Sequence, residues 1–224
     1  RIFCLSLALT AAPAGAESLQ PQTVDPASPE SVLFVGNSFT FYNNAISTHL
    51  RQLLLNGAPR SESTWFLRTM TISGAFLAEH RGGLEQMLGF RAWDVVVLQG
   101  HSREAIEPDM QASFSSATER FSGMVRDAGA EPVLFMTWAY ADRPEMTPRL
   151  DEAFTRLGAE LDLEVVPVGL AFARALEEMP GLALHTTDKI HPSLAGTYLA
   201  AAVFYAALYD RSTGNLDYDA GLPA

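Results

Sequence analysis

Cysteine is almost absent: the 224 residues contain one, Cys4. A disulfide framework and a thiolate metal cage are therefore excluded, and stability has to come from a packed core. Positive charge is scarce as well, with 15 Lys and Arg against 26 Asp and Glu and a formal net charge of -11. So acidic a chain does not suit nucleic acid or an anionic membrane surface, and neither is expected as a partner. Long apolar runs are missing beyond the N-terminus. The longest later one, Tyr198 to Tyr209, is too short to span a bilayer.

At the N-terminus, Arg1 precedes an apolar run from Ile2 to Ala12 and then Pro13-Ala14-Gly15-Ala16. A charged start, an apolar middle and a small-residue end predict that residues 1–16 are a secretory signal peptide, truncated at its start. The expected location is secreted, and periplasmic in a bacterium. Cleavage after Ala16 would remove Cys4. Residues 17–30 carry Pro21, Pro26 and Pro29 among polar residues, which predicts an extended lead-in. Residues 31–224 are long enough for one α/β domain.

Within that domain, short apolar runs alternate with helical periods. Strands are expected at Val32 to Val35, Trp65 to Ile72, Asp94 to Gln99, Val133 to Trp138 and Glu164 to Val168. Asp94-Val95-Val96-Val97-Leu98-Gln99 shows no polar alternation, the pattern of a central strand covered on both faces. Helical periods fall between the strands, and a last one from Leu194 to Tyr209 is apolar nearly all round, as in a buried helix. The alternation predicts a parallel sheet with helices on both faces, a three-layer α/β/α sandwich.

The first strand ends in Gly36-Asn37-Ser38, the second in Ser73-Gly74, and the third in Gln99-Gly100-His101-Ser102. In a parallel sheet these ends share one rim, where ligands bind. Just before the last helix, Asp188 precedes His191 by three residues. A carboxylate so placed can curl back to the imidazole Nδ1 and leave Nε2 free to face a serine. Thr40 stands where a nucleophile elbow, Gly-x-Ser-x-Gly, needs glycine, so the α/β-hydrolase fold is not indicated. No Gly-Lys-Ser/Thr follows the first strand either, which excludes a P-loop. His185, Asp188 and His191 share a loop without a further ligand at metal spacing, and neither a metal nor another cofactor is expected. His49 and His80 fall in helical stretches, where surface or partly buried positions are expected. Trp138, Tyr140 and the Phe39 to Tyr42 cluster lie at strand ends, where an acyl or sugar pocket and plain packing are both open readings.

These blocks resemble the SGNH (GDSL-like) hydrolases, serine esterases on a flavodoxin-like sheet of about five strands, and the resemblance spans about Ser31 to Tyr209. Gly36-Asn37-Ser38 is similar to the family's Gly-x-Ser block, with Asn37 in place of the commoner Asp, and Gly74 stands where its lone glycine does. Asp188-Lys189-Ile190-His191-Pro192 matches its Asp-x-x-His-Pro block. The third block, usually Gly-x-Asn-Asp, differs. Aligning the glycines puts Ser102 at the asparagine, whereas the Gln-Gly-Glu-Ser form of some carbohydrate esterases puts Gln99 there, which is the preferred assignment.

The resemblance implies an ester hydrolase with Ser38 as nucleophile, His191 as general base and Asp188 as its orienting acid. It implies an oxyanion hole from the Ser38 and Gly74 N–H groups and the Gln99 amide, with Ser102 the alternative to Gln99. The implied substrate is a small-molecule or glycan ester, with an acetyl group on a carbohydrate as a specialisation. Two other readings stay open: an O-acetyltransferase acting on a glycan, and a glycan-binding domain with little catalysis.

Overall fold

The computed structural model describes residues 28–57 and 64–222; the expected leader over 1–16, and the expected lead-in over 17–30 up to residue 27, lie outside the described residues. Five strands form one parallel sheet: β1 (Ser31–Gly36), β2 (Phe66–Thr71), β3 (Val95–Leu98), β4 (Glu131–Phe135) and β5 (Glu164–Val166). Their order is β2-β1-β3-β4-β5, with the Val95 run in the middle as its unbroken apolar character requires. Every residue of β1 and β3 is buried, because helices cover both faces.

The helices are α1 (Ser38–Phe41), α2 (Ile46–Gly57), α3 (Arg81–Phe90), α4 (Gln111–Asp127), α5 (Met146–Leu161), α6 (Val168–Glu178) and α7 (Leu194–Tyr209). Strand side chains alternate between faces, and β1 divides accordingly. Val32 and Phe34 join Leu50 and Leu53 of α2, Phe172 of α6 and Phe204 of α7, whereas Leu33 and Val35 join Leu84 of α3, Phe121 of α4 and Leu150 of α5. Each fully buried Leu or Phe contributes about 1.5–3 kcal/mol over an exposed one. The architecture is thus the three-layer α/β/α sandwich.

β4 and β5 depart most from the sequence pattern, and β4 ends at Phe135, short of the expected Trp138. β4 begins two residues early, at Glu131, and includes Pro132. Pairing with β5 starts only at Val133, so on that side no ladder bond is asked of the missing proline N–H. β5 stops at Val166, and α6 opens after Pro167. No helix among the described residues is long and apolar enough to cross a membrane.

β1 has β2 on one side and β3 on the other, so the direction of winding reverses there. That reversal opens a crevice beyond the carboxyl ends of β1 and β3. The loops after β1, β2 and β3 meet in it.

Candidate active site

The serine turn is built from inside the sheet outward. Asn37 leaves β1 in an extended conformation, and its side-chain oxygen accepts the Phe39 N–H at 3.1 Å, which starts α1 at Ser38. The Asn37 amide nitrogen donates to the Ala75 carbonyl at 3.1 Å and lies 3.5 Å from the Gly100 carbonyl. One buried side chain therefore ties together the loops after β1, β2 and β3. Ser38, the first residue of α1, is only 8% exposed. Its N–H precedes the first helical bond and has no acceptor among the described residues.

Gln99 occupies a place different from the one expected of it. It is fully buried, and its Oε1 accepts the Asn37 N–H and the Thr40 hydroxyl, both at 2.9 Å. Its Nε2 donates to Asn37 Oδ1 at 3.0 Å and to the Gly100 carbonyl. Both amide protons are engaged, so in this arrangement Gln99 clamps the serine turn and presents no donor to the crevice. Gly36 makes the clamp possible, because a Cβ there would collide with Gln99 Oε1 and with Thr40 Oγ1. Ser102, the alternative donor, is 4% exposed, and its hydroxyl is paired with the Tyr140 hydroxyl at 2.8 Å.

Gly74 lies in the loop after β2 with φ of +69°, the left-handed region that favours glycine. Its N–H likewise meets no acceptor among the described residues. The loops after β2 and β3 are joined by Glu104, whose Oε2 accepts the N–H of Leu77 at 3.0 Å and that of His101 at 2.5 Å. Its other oxygen is buried without a partner among the described residues. Burial raises the Glu104 carboxyl above its ordinary range, and the two N–H bonds offset part of that rise.

The Asp188 to His191 segment closes on the serine from the other side. His191 Nδ1–H donates to Asp188 Oδ2 at 2.6 Å, and Ser38 Oγ lies 2.9 Å from His191 Nε2. With the proton on Nδ1, Nε2 carries the lone pair that a serine hydroxyl can donate to. Asp188 Oδ1 accepts the Thr186 hydroxyl at 2.7 Å and the N–H groups of Ile190 and His191 at 2.8 and 2.9 Å. Burial alone would raise the Asp188 carboxyl, but the His191 side chain, these amides and the Thr186 hydroxyl outweigh it and hold it well below the usual range.

The loop is fastened to the segment after β4. Trp138 Nε1–H donates to the Ile190 carbonyl at 3.1 Å, Ala141 N–H to the Lys189 carbonyl at 2.8 Å, and His185 Nε2–H to the Ala139 carbonyl at 3.0 Å. Burial lowers the His185 imidazole, which suits a neutral ring with one donating nitrogen.

Aromatic rings continue the support. Phe172 stacks on Trp138, and Trp138 on Phe39, each pair at 4.4 Å between centroids. Phe39 turns its edge toward His191 at 5.8 Å, and Tyr42 lies flat on the imidazole at 4.3 Å with the planes 9° apart. Trp138 is fully buried, so its expected alternative as a pocket wall gives way to packing. After Tyr42, three successive non-glycine residues have positive φ: Asn43 at 49°, Asn44 at 73° and Ala45 at 70°. Such conformations cost of order 1–3 kcal/mol per residue and persist only where surroundings enforce them.

Several contributors have roles that the sequence did not reveal. Asn37 was visible only as an unusual letter in its block, although an Asn just before a helix is a cap signal. Glu104 sits in a loop and carried no motif. Asn43 and Tyr42 follow no turn pattern, since no glycine marks the left-handed stretch. His80 is 1% exposed, with Nε2 2.7 Å from the Gly36 carbonyl, and so supports the end of β1 from beneath. His49, at 5% exposure, is also interior, 2.8 Å from the Asn43 carbonyl and 2.7 Å from the Tyr218 hydroxyl. Among the described residues no three His, Cys, Asp or Glu side chains gather as metal ligands.

The arrangement supplies a hydroxyl, a ring nitrogen able to take its proton, a carboxylate on the opposite ring nitrogen, and, at the ends of β1 and β2, two N–H groups without acceptors among the described residues. No family model matches the chain, and neither does any curated protein. Solved structures do. One from Slackia heliotrinireducens, classed as an SGNH hydrolase, is 31% identical, covers 79% of this chain and 97% of its own, and superposes with a TM-score of 0.64. A protein from Parabacteroides merdae, classed as a GDSL-like lipase, gives a TM-score of 0.66 at 17% identity over 84% and 99% of the two chains. An acetyl xylan esterase from Geobacillus stearothermophilus gives 0.60 at 15% identity over 82% and 97%. The last two share the fold.

Proposed function

The chain belongs to the SGNH (GDSL-like) hydrolase superfamily, and from that premise we propose that it is a serine esterase working through an acyl-Ser38 intermediate. The observation that carries the proposal is the continuous chain from Ser38 Oγ to His191 Nε2, 2.9 Å, and from His191 Nδ1 to Asp188 Oδ2, 2.6 Å.

In this reading Ser38 Oγ bonds to the ester carbonyl carbon while its proton passes to His191 Nε2. The carbonyl oxygen becomes an oxyanion and is received by the Ser38 and Gly74 N–H groups, preorganised donors of the kind that contribute most to such reactions. Collapse breaks the bond to the alcohol, which leaves with the proton from Nε2. Water then gives a proton to Nε2 and attacks the acyl carbon, and Ser38 departs with that proton restored. Asp188 keeps the imidazole in the tautomer with Nε2 free and stabilises the imidazolium between the two transfers. Its lowered pKa suits that role, because the carboxyl stays ionised at neutral pH.

The proposed substrate is a short acyl ester, with an acetylated carbohydrate as the first physiological candidate. Support for that choice is the fold shared with the acetyl xylan esterase. The test is to incubate purified protein with p-nitrophenyl acetate and with an acetylated glycan, with and without a free sugar acceptor, beside Ser38→Ala. Release of acetate that is abolished by Ser38→Ala and needs no acceptor is the expected result. Product formed only with acceptor would make the protein a transferase, and no turnover would refute the enzymatic reading. We also propose, from residues 1–16, that the protein is exported. Fractionation of cells expressing the chain with only an initiating methionine placed before residue 1 would find it outside the cytoplasm, and retention inside would overturn this.

A further inference from the structure

We propose that Tyr42 is a positioning residue for His191, and that the left-handed segment Asn43-Asn44-Ala45 exists to hold its ring there. This rests on the reading of His191 as the base for Ser38. The His191 side chain is still 24% exposed, and its two hydrogen bonds, to Asp188 and Ser38, fix the line through the ring nitrogens but not the tilt of the ring about that line. Tyr42 supplies the missing constraint. Its ring covers one face at 4.3 Å and 9°, while Phe39 meets the imidazole edge-on at 5.8 Å and 67°. Phe39 is itself immobilised by its stack on buried Trp138. An aromatic face beside the imidazole also favours the imidazolium formed when the serine proton arrives.

The backbone explains how Tyr42 is kept in place. Asn43 Nδ2 donates to the carbonyl of Pro192, the neighbour of His191, at 2.9 Å, and to the Thr197 hydroxyl at 2.8 Å. The Asn43 carbonyl accepts from His49 Nε2 at 2.8 Å, and His49 Nδ1 accepts the Tyr218 hydroxyl at 2.7 Å. Ala45 N–H bridges back to the carbonyls of Phe41 and Tyr42 at 3.0 Å each. The residue after Tyr42 thus bonds directly to the residue after His191, which sets the two rings relative to each other across 149 positions of sequence. A plain packing role does not account for this. Tyr42 is only half-buried, and its hydroxyl pairs with no described residue, so the ring is the part in use. Strained left-handed backbone in a non-glycine stretch beside a reactive group is the pattern expected where geometry is enforced for function.

The test compares Tyr42→Phe, Tyr42→Leu and Asn43→Asp in the full chain, using p-nitrophenyl acetate kinetics and the downfield proton resonance of the His191 Nδ1–H bond to Asp188. Tyr42→Phe is expected to match the parent in both. Tyr42→Leu is expected to lower kcat by about tenfold with KM little changed, and to broaden or abolish the resonance. Asn43→Asp keeps the residue size but loses both donated bonds, and the same two changes are expected with Tyr42 intact. A Tyr42→Leu protein with parental kcat and resonance would overturn the proposal. So would an equal loss in Tyr42→Phe, or a loss confined to KM. If Tyr42→Leu does not fold, Asn43→Asp carries the same outcomes. The resonance requires no turnover, so a parent enzyme without esterase activity would refute the Ser38 reading while this proposal was still decided by the spectra.

Discussion

Replacing Gln99 by alanine separates a clamp from an oxyanion donor. The side chain is fully buried and makes four hydrogen bonds within the serine turn. Three of the partners can be partly satisfied without it. The Thr40 hydroxyl can rotate, Asn37 Oδ1 still accepts from Phe39, and the Gly100 carbonyl still has the Asn37 amide within 3.5 Å. The Asn37 N–H cannot turn and is left buried without an acceptor, which costs about 1–3 kcal/mol. With the weakened remaining bonds and the void left by the side chain, the total is roughly 3–4 kcal/mol. For a chain of this size that corresponds to a fall in Tm of about 6–16 °C. Thermal melts followed by circular dichroism, beside kcat for p-nitrophenyl acetate measured well below the transition, give both quantities. The clamp predicts that stability and kcat fall together, because the turn carrying Ser38 loosens. A loss of a hundredfold or more in kcat with Tm within about 2 °C of the parent would refute the clamp and return Gln99 to the oxyanion hole.

Asp188→Asn is predicted to lower kcat by about 10³–10⁴, since an amide no longer selects the Nδ1–H tautomer, while Tm falls only modestly because the side chain is 45% exposed and the amide oxygen can still accept from Ile190 and His191. A loss below about tenfold would contradict its assigned role. Glu104 gives a pH test. Its folded pKa is raised, so the folded state holds the proton more tightly than the unfolded chain, whose ordinary value is 4.5. The contribution is fully present below 4.5 and is lost as pH rises through the raised folded value. Glu104→Gln can still accept from Leu77 and His101, so urea unfolding of this variant should show a flatter loss of stability above pH 4.5 than the parent. An unchanged slope would show that Glu104 does not titrate as described.

Much of this site could be read from the sequence because the parts that mark it are local. The buried run Val32 to Val35 ends in Gly36, and Asp188 lies one turn of loop from His191; both features survive without knowledge of the fold. Gln99 shows where that reasoning stops. An amide at a strand end has the right chemistry for an oxyanion donor, yet only the slot left by the missing Gly36 side chain decides that it folds inward. Ser102 turned toward Tyr140 for a similar reason, a partner 38 residues away that no spacing reveals. His49 and His80 look polar in a periodicity count, but each is satisfied inside by a backbone carbonyl. The Asn43 to Ala45 conformation was invisible, because it is held by Asn43 contacts to Pro192 and Thr197, far along the chain.

The central claim is that Ser38 forms a covalent bond to an acyl or phosphoryl centre with His191 as its base. A fluorophosphonate should label the protein once, on the peptide containing Ser38, as read by intact and peptide mass spectrometry. Labelling should vanish in Ser38→Ala and slow by about a thousandfold or more in His191→Ala, in which nothing removes the serine proton. A parent protein left unmodified, or one labelled equally well in Ser38→Ala, would contradict the account.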